Sequence, residues 1–261
     1  MSGLRAVPGF AFATARLFGL QAAWSYERMM GIGFGHAAEP LLRQLRVRGE
    51  GGDARYREAL ARESRFFNGH PYLTSVAIGA AARAEVDGEA PEKIERLRQA
   101  LCGPVGALGD RLVWAGWLPA CAGIGLILVA LGAQGWAVAA FLVLYNVVHV
   151  GLRVWGLRAG WRAGMRVAPT LSAPVLRRGL EVVGPLAALA VGAALPAVLV
   201  WASRGAGLDL PWWLAWRHVV AGAAGGALFA FAVRLLGTRT SARGLATVVL
   251  AAAAVGGALW R

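Results

Sequence analysis

The chain has 261 residues, of which 57% are apolar and only 16% charged, whereas an ordinary soluble domain carries roughly 25% charge. With a mean hydropathy of +0.54, this composition excludes a disordered chain and argues against a freely soluble domain. The net charge of +13 suits a nucleic acid or an anionic membrane face, and the placement of the charges decides between them. Of the 14 acidic residues, 12 lie at or before Asp110; beyond it, 13 basic residues accompany two acidic ones in mostly apolar sequence. Basic residues spaced between apolar runs are a topology signal, so the expected partner is a lipid bilayer and not a nucleic acid. The 36 glycines follow no G-X-Y period and suit close helix packing in a membrane. Cys102 and Cys121 form no CxxC and imply neither a disulfide framework nor a zinc site. The short apolar stretch Ala6–Ala15, broken by Pro8, makes a poor signal peptide.

Residues 1–110 read as a region distinct from residues 111–261. Phe10–Arg48 mixes apolar and charged residues, with Leu17, Leu20, Gln21, Trp24, Arg28 and Met29 at helical spacing. It is too polar to span and is expected to form amphipathic helix on or in the interface. Arg43–Arg65 reads as a charged helix facing the cytoplasm, with Glu58 and Arg62 as an i,i+4 pair. Tyr72–Ala82 is uncharged over 11 residues, too short to cross, and is a re-entrant candidate. Ala84–Arg98 is charged again, with Pro91 at a helix start and Lys93, Glu95 and Arg96 in solvent.

From Leu112 to Leu152 there are 41 consecutive residues without Asp, Glu, Lys or Arg. One span needs about 20 residues, so this run predicts two, Leu112–Leu131 and Trp136–Leu152, joined at Gly132–Gly135. Further spans are expected at Val182–Ser203, Val219–Val233 and Gly244–Trp260, the fourth being short but preceded by Trp212, Trp213 and Trp216 as an interfacial belt. The fold class is therefore an all-α integral membrane protein with about five spans plus N-terminal amphipathic and re-entrant helices. Six arginines lie between Arg153 and Arg178, and three between Arg234 and Arg243; one lies between Arg204 and Pro211. That bias puts the N-terminus in the cytoplasm and the C-terminus outside.

Four segments can carry chemistry. In Gln21–Met30, Glu27 and Arg28 need partners if buried, or face water if the helix is interfacial. In Arg65–Pro71, Asn, Gly and Pro break the helix; Asn68 and His70 then either hydrogen-bond a sugar or form a plain capped turn. In Cys102–Trp114, Asp110 is read as the N-cap of the first span. A second role is expected beside the cap, in which its other oxygen accepts bonds from a carbohydrate while Trp114 stacks on the sugar's apolar face. Asn146 and His149, near the end of the second span, are expected to bond across helices. The glycines of the third segment are not a phosphate loop, and HExxH, GxSxG and paired carboxylates on one helix are absent from the sequence. No catalytic residue, metal ligand or cofactor is expected.

At these residues the sequence resembles the IID membrane component of the mannose/fructose/sorbose family of bacterial phosphotransferase systems. The family's LQ…WNYERMQ…GF…P is similar to Leu20-Gln21, Trp24-Ser25-Tyr26-Glu27-Arg28-Met29-Met30, Gly33-Phe34 and Pro40. Its RHLEFFNTHP resembles Arg62-Glu63-Ser64-Arg65-Phe66-Phe67-Asn68-Gly69-His70-Pro71, and its MGPLAGIGDSxxW resembles Cys102–Trp114. A later RY…GY..G stretch is similar to Asn146, Arg153, Trp155, Gly160-Trp161 and Gly164. Glu63 stands where the family has His, Gly69 where it has Thr, and Arg111 replaces a small residue. The resemblance implies a sugar path formed with a IIC membrane partner and a phosphate relay through cytoplasmic IIA and IIB components. It implies a mannose-type hexose, the inner membrane, and no phosphate carried by this chain. Asn68, His70, Asp110 and Trp114 are the expected sugar ligands; Trp24, Glu27, Arg28 and Asn146 are expected to hold the structure or the partner. The alternatives are an orphan or regulatory component whose sugar path has decayed, and a membrane-embedded enzyme.

Overall fold

The computed structural model describes residues 7–47, 49, 51–205, 207 and 212–236. These are helical apart from turns and two isolated bridges, Ser25 to Met29 and Met29 to Phe67. Among the described residues, three helical runs are long and apolar enough to cross a membrane: Pro91–Ala130, Gln134–Arg166 and Ala168–Ser203. A fourth helix, Trp212–Leu236, carries the shorter apolar stretch Val220–Phe229. The expected span Gly244–Trp260 lies outside the described residues.

The chain divides into two compact units, residues 1–111 with 146–176, and residues 112–145 with 177–261. In the first unit, α1 (Phe10–Arg16), α2 (Gly31–Leu42) and α3 (Gly52–Glu63) meet on one carboxylate. Glu39 accepts from Arg16 and Arg43 at 2.7 Å and from the Tyr56 hydroxyl at 2.9 Å. Burial raises this carboxyl, but the hydrogen bonds from Arg43, Tyr56 and Arg16 outweigh it and hold it below its usual range. Glu39 thus stabilises the folded state above the ordinary carboxylate pKa, and that contribution is lost as the pH falls through its lowered value.

The centre of this unit is α4 (Thr74–Asp87), which buries 12 of its 14 residues. Burial on all sides explains why it lacks a polar stripe. Its small residues let neighbours approach closely. Against it lies α7 (Gln134–Ala163), where Gly156 and Gly160 form a GxxxG pair. A Cβ on Gly160 would overlap the Val76 carbonyl and sit 2.9 Å from the Ala80 nitrogen; one on Gly79 would sit 2.7 Å from the Trp161 nitrogen. The short apolar run seen in the sequence is therefore the core helix of this unit.

Three expectations are corrected here. Phe10–Arg48 is not one amphipathic helix: α1 passes through a tight turn, Leu17–Gly19, into the loop Leu20–Met30 before α2 begins. Arg62 does not pair with Glu58; it donates to Glu85 at 2.7 and 2.8 Å, a bidentate contact between helices that is half-buried and stronger than an exposed i,i+4 pair. The second span does not stop at Leu152: α7 continues to Ala163 and buries Arg153.

In the second unit, α6 (Leu118–Ala130), α8 (Pro174–Gly205) and α9 (Trp212–Leu236) also pack through small residues. Gly123 of α6 faces Ala190 of α8; Gly192 and Ala188 of α8 face Gly222 and Gly226 of α9. Backbone contact of this kind supplies dispersion where apolar side chains gain nothing by leaving lipid. Val143, Leu195 and Leu199 point outward, 61–69% exposed, an apolar surface suited to hydrocarbon.

Candidate functional site

Within the first unit the segments singled out in the sequence converge on the turn that separates α3 from α4. α3 ends at Ser64, whose hydroxyl donates back to the Leu60 carbonyl at 2.8 Å. Pro71 disfavours helical backbone at His70. The chain re-enters helix at Thr74, whose backbone N–H and hydroxyl both donate to the His70 carbonyl, at 2.9 and 2.8 Å.

The Trp24–Met30 segment is a tight loop and not a helix. Ser25 and Met29 exchange backbone hydrogen bonds, with Met29 at φ 50°, and the loop docks on the turn. The Met30 N–H donates to the Phe67 carbonyl at 3.0 Å, and the Phe67 N–H donates to Arg28 at 3.3 Å. Trp24, Tyr26, Glu27 and Arg28 are exposed, and the Trp24 and Tyr26 rings meet edge to face at 4.8 Å. Glu27 and Arg28 thus face outward rather than occupying a buried helix.

From the other side comes α5 (Pro91–Gly109), which carries the glycine-rich segment. Those glycines form no loop; they let the helix press onto the turn. A Cβ on Gly109 would overlap the His70 side chain, and one on Gly106 would meet Gly69 at 3.7 Å. Asp110 is not an N-cap. The helix runs on through it as wider π-type turns from Asp110 to Trp117 and then into α6, an unbroken course from Pro91 to Ala130. Asp110 is exposed in the first unit; Trp114 belongs to the second and is 41% exposed.

α7 completes the cluster. Tyr72 stacks on His149 at 4.1 Å and meets His70 edge to face at 4.9 Å. His149 Nδ1 lies 3.3 Å from Asn146 Oδ1, a contact within α7. Arg153, 4% exposed, places its guanidinium 4.9 Å from the Tyr72 ring and 5.2 Å from Phe18, and donates to the Leu17 carbonyl. Burial first, and the Arg153 charge second, push the His70 imidazole down to about 4. His70 is therefore neutral at physiological pH, able to donate at one nitrogen and accept at the other. The result is a nest of two imidazoles, a phenol, an amide and a buried cation at a helix break, with exposed Asn68 beside it. It offers hydrogen bonds and aromatic faces, the chemistry that holds a polyol. Among the described residues no cluster of His, Cys, Asp and Glu is arranged to hold a metal ion.

Tyr72 and Arg153 were not read as site residues. Tyr72 sat at the edge of an apolar run, and Arg153 looked like a loop charge. The reversal at Pro71, which brings α4 back beneath α7, is what joins them.

Beneath the site lies a buried charged cluster. Arg98, 2% exposed, donates to the carbonyls of Arg62 at 2.5 Å, Glu63 at 3.0 Å and Arg65 at 3.2 Å, closing the C-terminus of α3. Its Nε lies 3.3 Å from Glu63. Burial pushes the fully buried Glu63 carboxyl up to about 8, with the Arg98 charge opposing and Glu85 reinforcing. The proximity of Arg98 would suggest an ion pair, but its two terminal nitrogens are committed to carbonyl oxygens. The Arg98 Nε–H, though close, makes no hydrogen bond to the carboxyl in this geometry, so burial prevails and the neutral acid is the favoured form.

Long apolar helices joined through glycine contacts, with a polar nest at a helix break, define a helical integral membrane protein. Residues 10–203 match the family model described as the PTS system mannose/fructose/sorbose family IID component. The chain belongs to that family, as its four motifs implied. It is 28% identical over 182 residues to the fructose permease IID component of Bacillus subtilis (strain 168), covering 67% of this chain and 63% of that one. It is 27% identical over 190 residues to the mannose-specific EIID component of Escherichia coli (strain K12), covering 70% and 64%. The chain thus spans just under two thirds of the length of these relatives. The fold is similar to the mannose transporter ManYZ in its complex with microcin E492, with a TM-score of 0.54 and 23% identity over 72% of this chain and 69% of that one. A second solved membrane protein matches with a TM-score of 0.62 and 22% identity over 71% and 68%.

Proposed function

We propose that this chain is the IID subunit of a phosphoenolpyruvate-dependent sugar phosphotransferase system. It forms the sugar path with a IIC partner, while IIA and IIB components carry the phosphate. A mannose-type hexose is the substrate class. The observation that carries this reading is the packing of three motif segments around the fourth: the Arg28–Met30 loop, Gly106 and Gly109 of α5, and His149 and Arg153 of α7 all meet the Phe67–Tyr72 turn. The departures from the family pattern support a working scaffold over a decayed one. Glu63 is built into the core, and a Cβ on Gly69 would sit 3.2 Å from Phe67, Thr74 and Val105.

Asn68 and His70 are the proposed sugar ligands, with Asp110 and Trp114 on the path or its IIC face and Trp24, Glu27 and Arg28 on the partner surface. Asn68→Ala should cut sugar uptake by the assembled complex about tenfold, the effect of losing one good hydrogen bond to substrate, with subunit levels unchanged. Because Asp110 caps nothing, Asp110→Asn and Asp110→Ala should both assemble while lowering uptake. Normal uptake in Asn68→Ala and both Asp110 variants would leave the orphan reading in place.

The N-terminus is proposed to be cytoplasmic. With Arg153 buried, Arg158, Arg162, Arg166, Arg177 and Arg178 remain exposed and carry the positive bias. A cysteine placed at Ser172 should resist a membrane-impermeant thiol reagent in intact cells and react after permeabilisation. Labelling in intact cells would reverse the orientation.

A further inference from the structure

Within the second unit, α8 and α9 flank a cavity of about 510 Å³. Val182, Pro185 and Leu189 of α8 and Ala227 and Phe231 of α9 line it, with Glu181 at the polar end. Its size falls in the range of about 300–1,000 Å³ that small-molecule sites occupy. On one side it stops where the helices touch at Ala188 and Gly226. On the other it is open: Val182 and Phe231 are each 59% exposed and Leu189 is 44% exposed. α8 lies in a run apolar and long enough to cross a bilayer, so an apolar groove open along its flank suits an acyl chain.

The charges at the polar end identify the lipid. Arg177 Nε stands 4.0 Å from Glu181 Oε1, a loose pair with both side chains exposed at 76% and 57%. Arg178 precedes Val182 by four residues and Pro185 by seven, so it lies on the same helix face one turn above the cavity. Two guanidiniums suit a phosphate. A carboxylate beside them disfavours a purely anionic headgroup and suits an adjacent ammonium. A primary ammonium can donate hydrogen bonds to Glu181, whereas a quaternary one has no N–H to give.

We propose that this groove binds one phospholipid of the phosphatidylethanolamine class, with an acyl chain between α8 and α9, its phosphate on Arg177 and Arg178 and its ammonium on Glu181. The groove shares no residue with the proposed sugar ligands Asn68, His70, Asp110 and Trp114.

The test is native mass spectrometry of the full chain in detergent, titrated with phosphatidylethanolamine, phosphatidylcholine and phosphatidylglycerol carrying identical acyl chains. Wild type should retain phosphatidylethanolamine about tenfold better than either of the others, the worth of one charge-assisted hydrogen bond. Glu181→Gln should bring phosphatidylethanolamine and phosphatidylcholine to equal retention without abolishing either. Leu189→Trp should fill the groove and reduce all three. Equal retention of the three lipids by wild type, or a preference that survives Glu181→Gln, overturns the proposal. So does a dimer of the chain that Leu189→Trp dissociates, which would assign the groove to a second copy. Should Leu189→Trp fail to fold, the exposed substitution Glu181→Gln decides alone.

Discussion

Gly160→Ala should destabilise the protein by about 3 kcal/mol, the cost of overpacking a closed core contact. The added methyl group has no space, because it would overlap the Val76 carbonyl and crowd the Ala80 nitrogen. Both obstacles are backbone, so no rotamer change relieves them, and α7 must move away from α4. That movement loosens the contacts of Ser75 and Gly79 as well, since Gly156 and Gly160 share one face. It also separates Tyr72 from His149, which stack at 4.1 Å. Gly151→Ala is the control: a Cβ there meets nothing within 4 Å, and alanine gains up to about 1 kcal/mol of helix propensity. Thermal unfolding of both variants in one detergent should show a large loss for Gly160→Ala and none for Gly151→Ala. Equal behaviour of the two would mean that the α4–α7 contact does not hold this unit together.

The long helices were legible because a bilayer imposes a length on apolar runs, and Leu112–Leu152 declared two spans through its composition alone. The ends of the helices were not legible. Helical backbone continues past the apolar window wherever packing supports it, so α7 runs through Arg153 and Arg158 to Ala163, and Asp110 sits inside a helix it was expected to start. Hydropathy also does not reveal that the 11-residue apolar run packs as the central helix α4 of the first unit, buried on nearly every side. The Leu17–Met29 segment misled for another reason. Its apolar residues do recur at helical spacing, but backbone pairing with Phe67 holds the chain in a tight loop.

The site was legible as segments and not as an arrangement. Asn68, His70 and Asn146 could be singled out because polar residues at a helix break or inside a span need a reason. Arg153 could be matched to a family stretch but not placed at the site, because its partner carbonyl on Leu17 is 136 residues away. Arg98 escaped notice in the same way: it follows Lys93 and Arg96 on a charged helix, and only the fold turns it inward.

Arg98→Met should be the most damaging single substitution in the first unit, costing about 3–5 kcal/mol. The guanidinium serves the Arg62, Glu63 and Arg65 carbonyls together and covers the Phe34 ring at 4.8 Å. Methionine preserves bulk but leaves three acceptors, one buried and two partly buried, without their donor. Arg98→Lys should recover only part of the loss, because one ammonium cannot reach three carbonyls spread around a helix end. Glu63→Gln should behave quite differently. With the Glu63 carboxyl pushed up to about 8 by burial, the folded protein holds a neutral acid there at pH 7, and the amide resembles it. The folded value lies above the unfolded one of 4.5, so between these two values the unfolded chain has lost the proton that the folded chain keeps. Stability must therefore fall as the pH rises from 4.5 through 8, and level off above it. Wild type and Glu63→Gln compared by chemical denaturation between pH 5 and 9 should diverge, the variant losing less with rising pH. Parallel curves, or a Glu63→Gln variant as damaged as Arg98→Met, would mean that Glu63 is ionised in the fold and that the pair acts as a buried salt bridge.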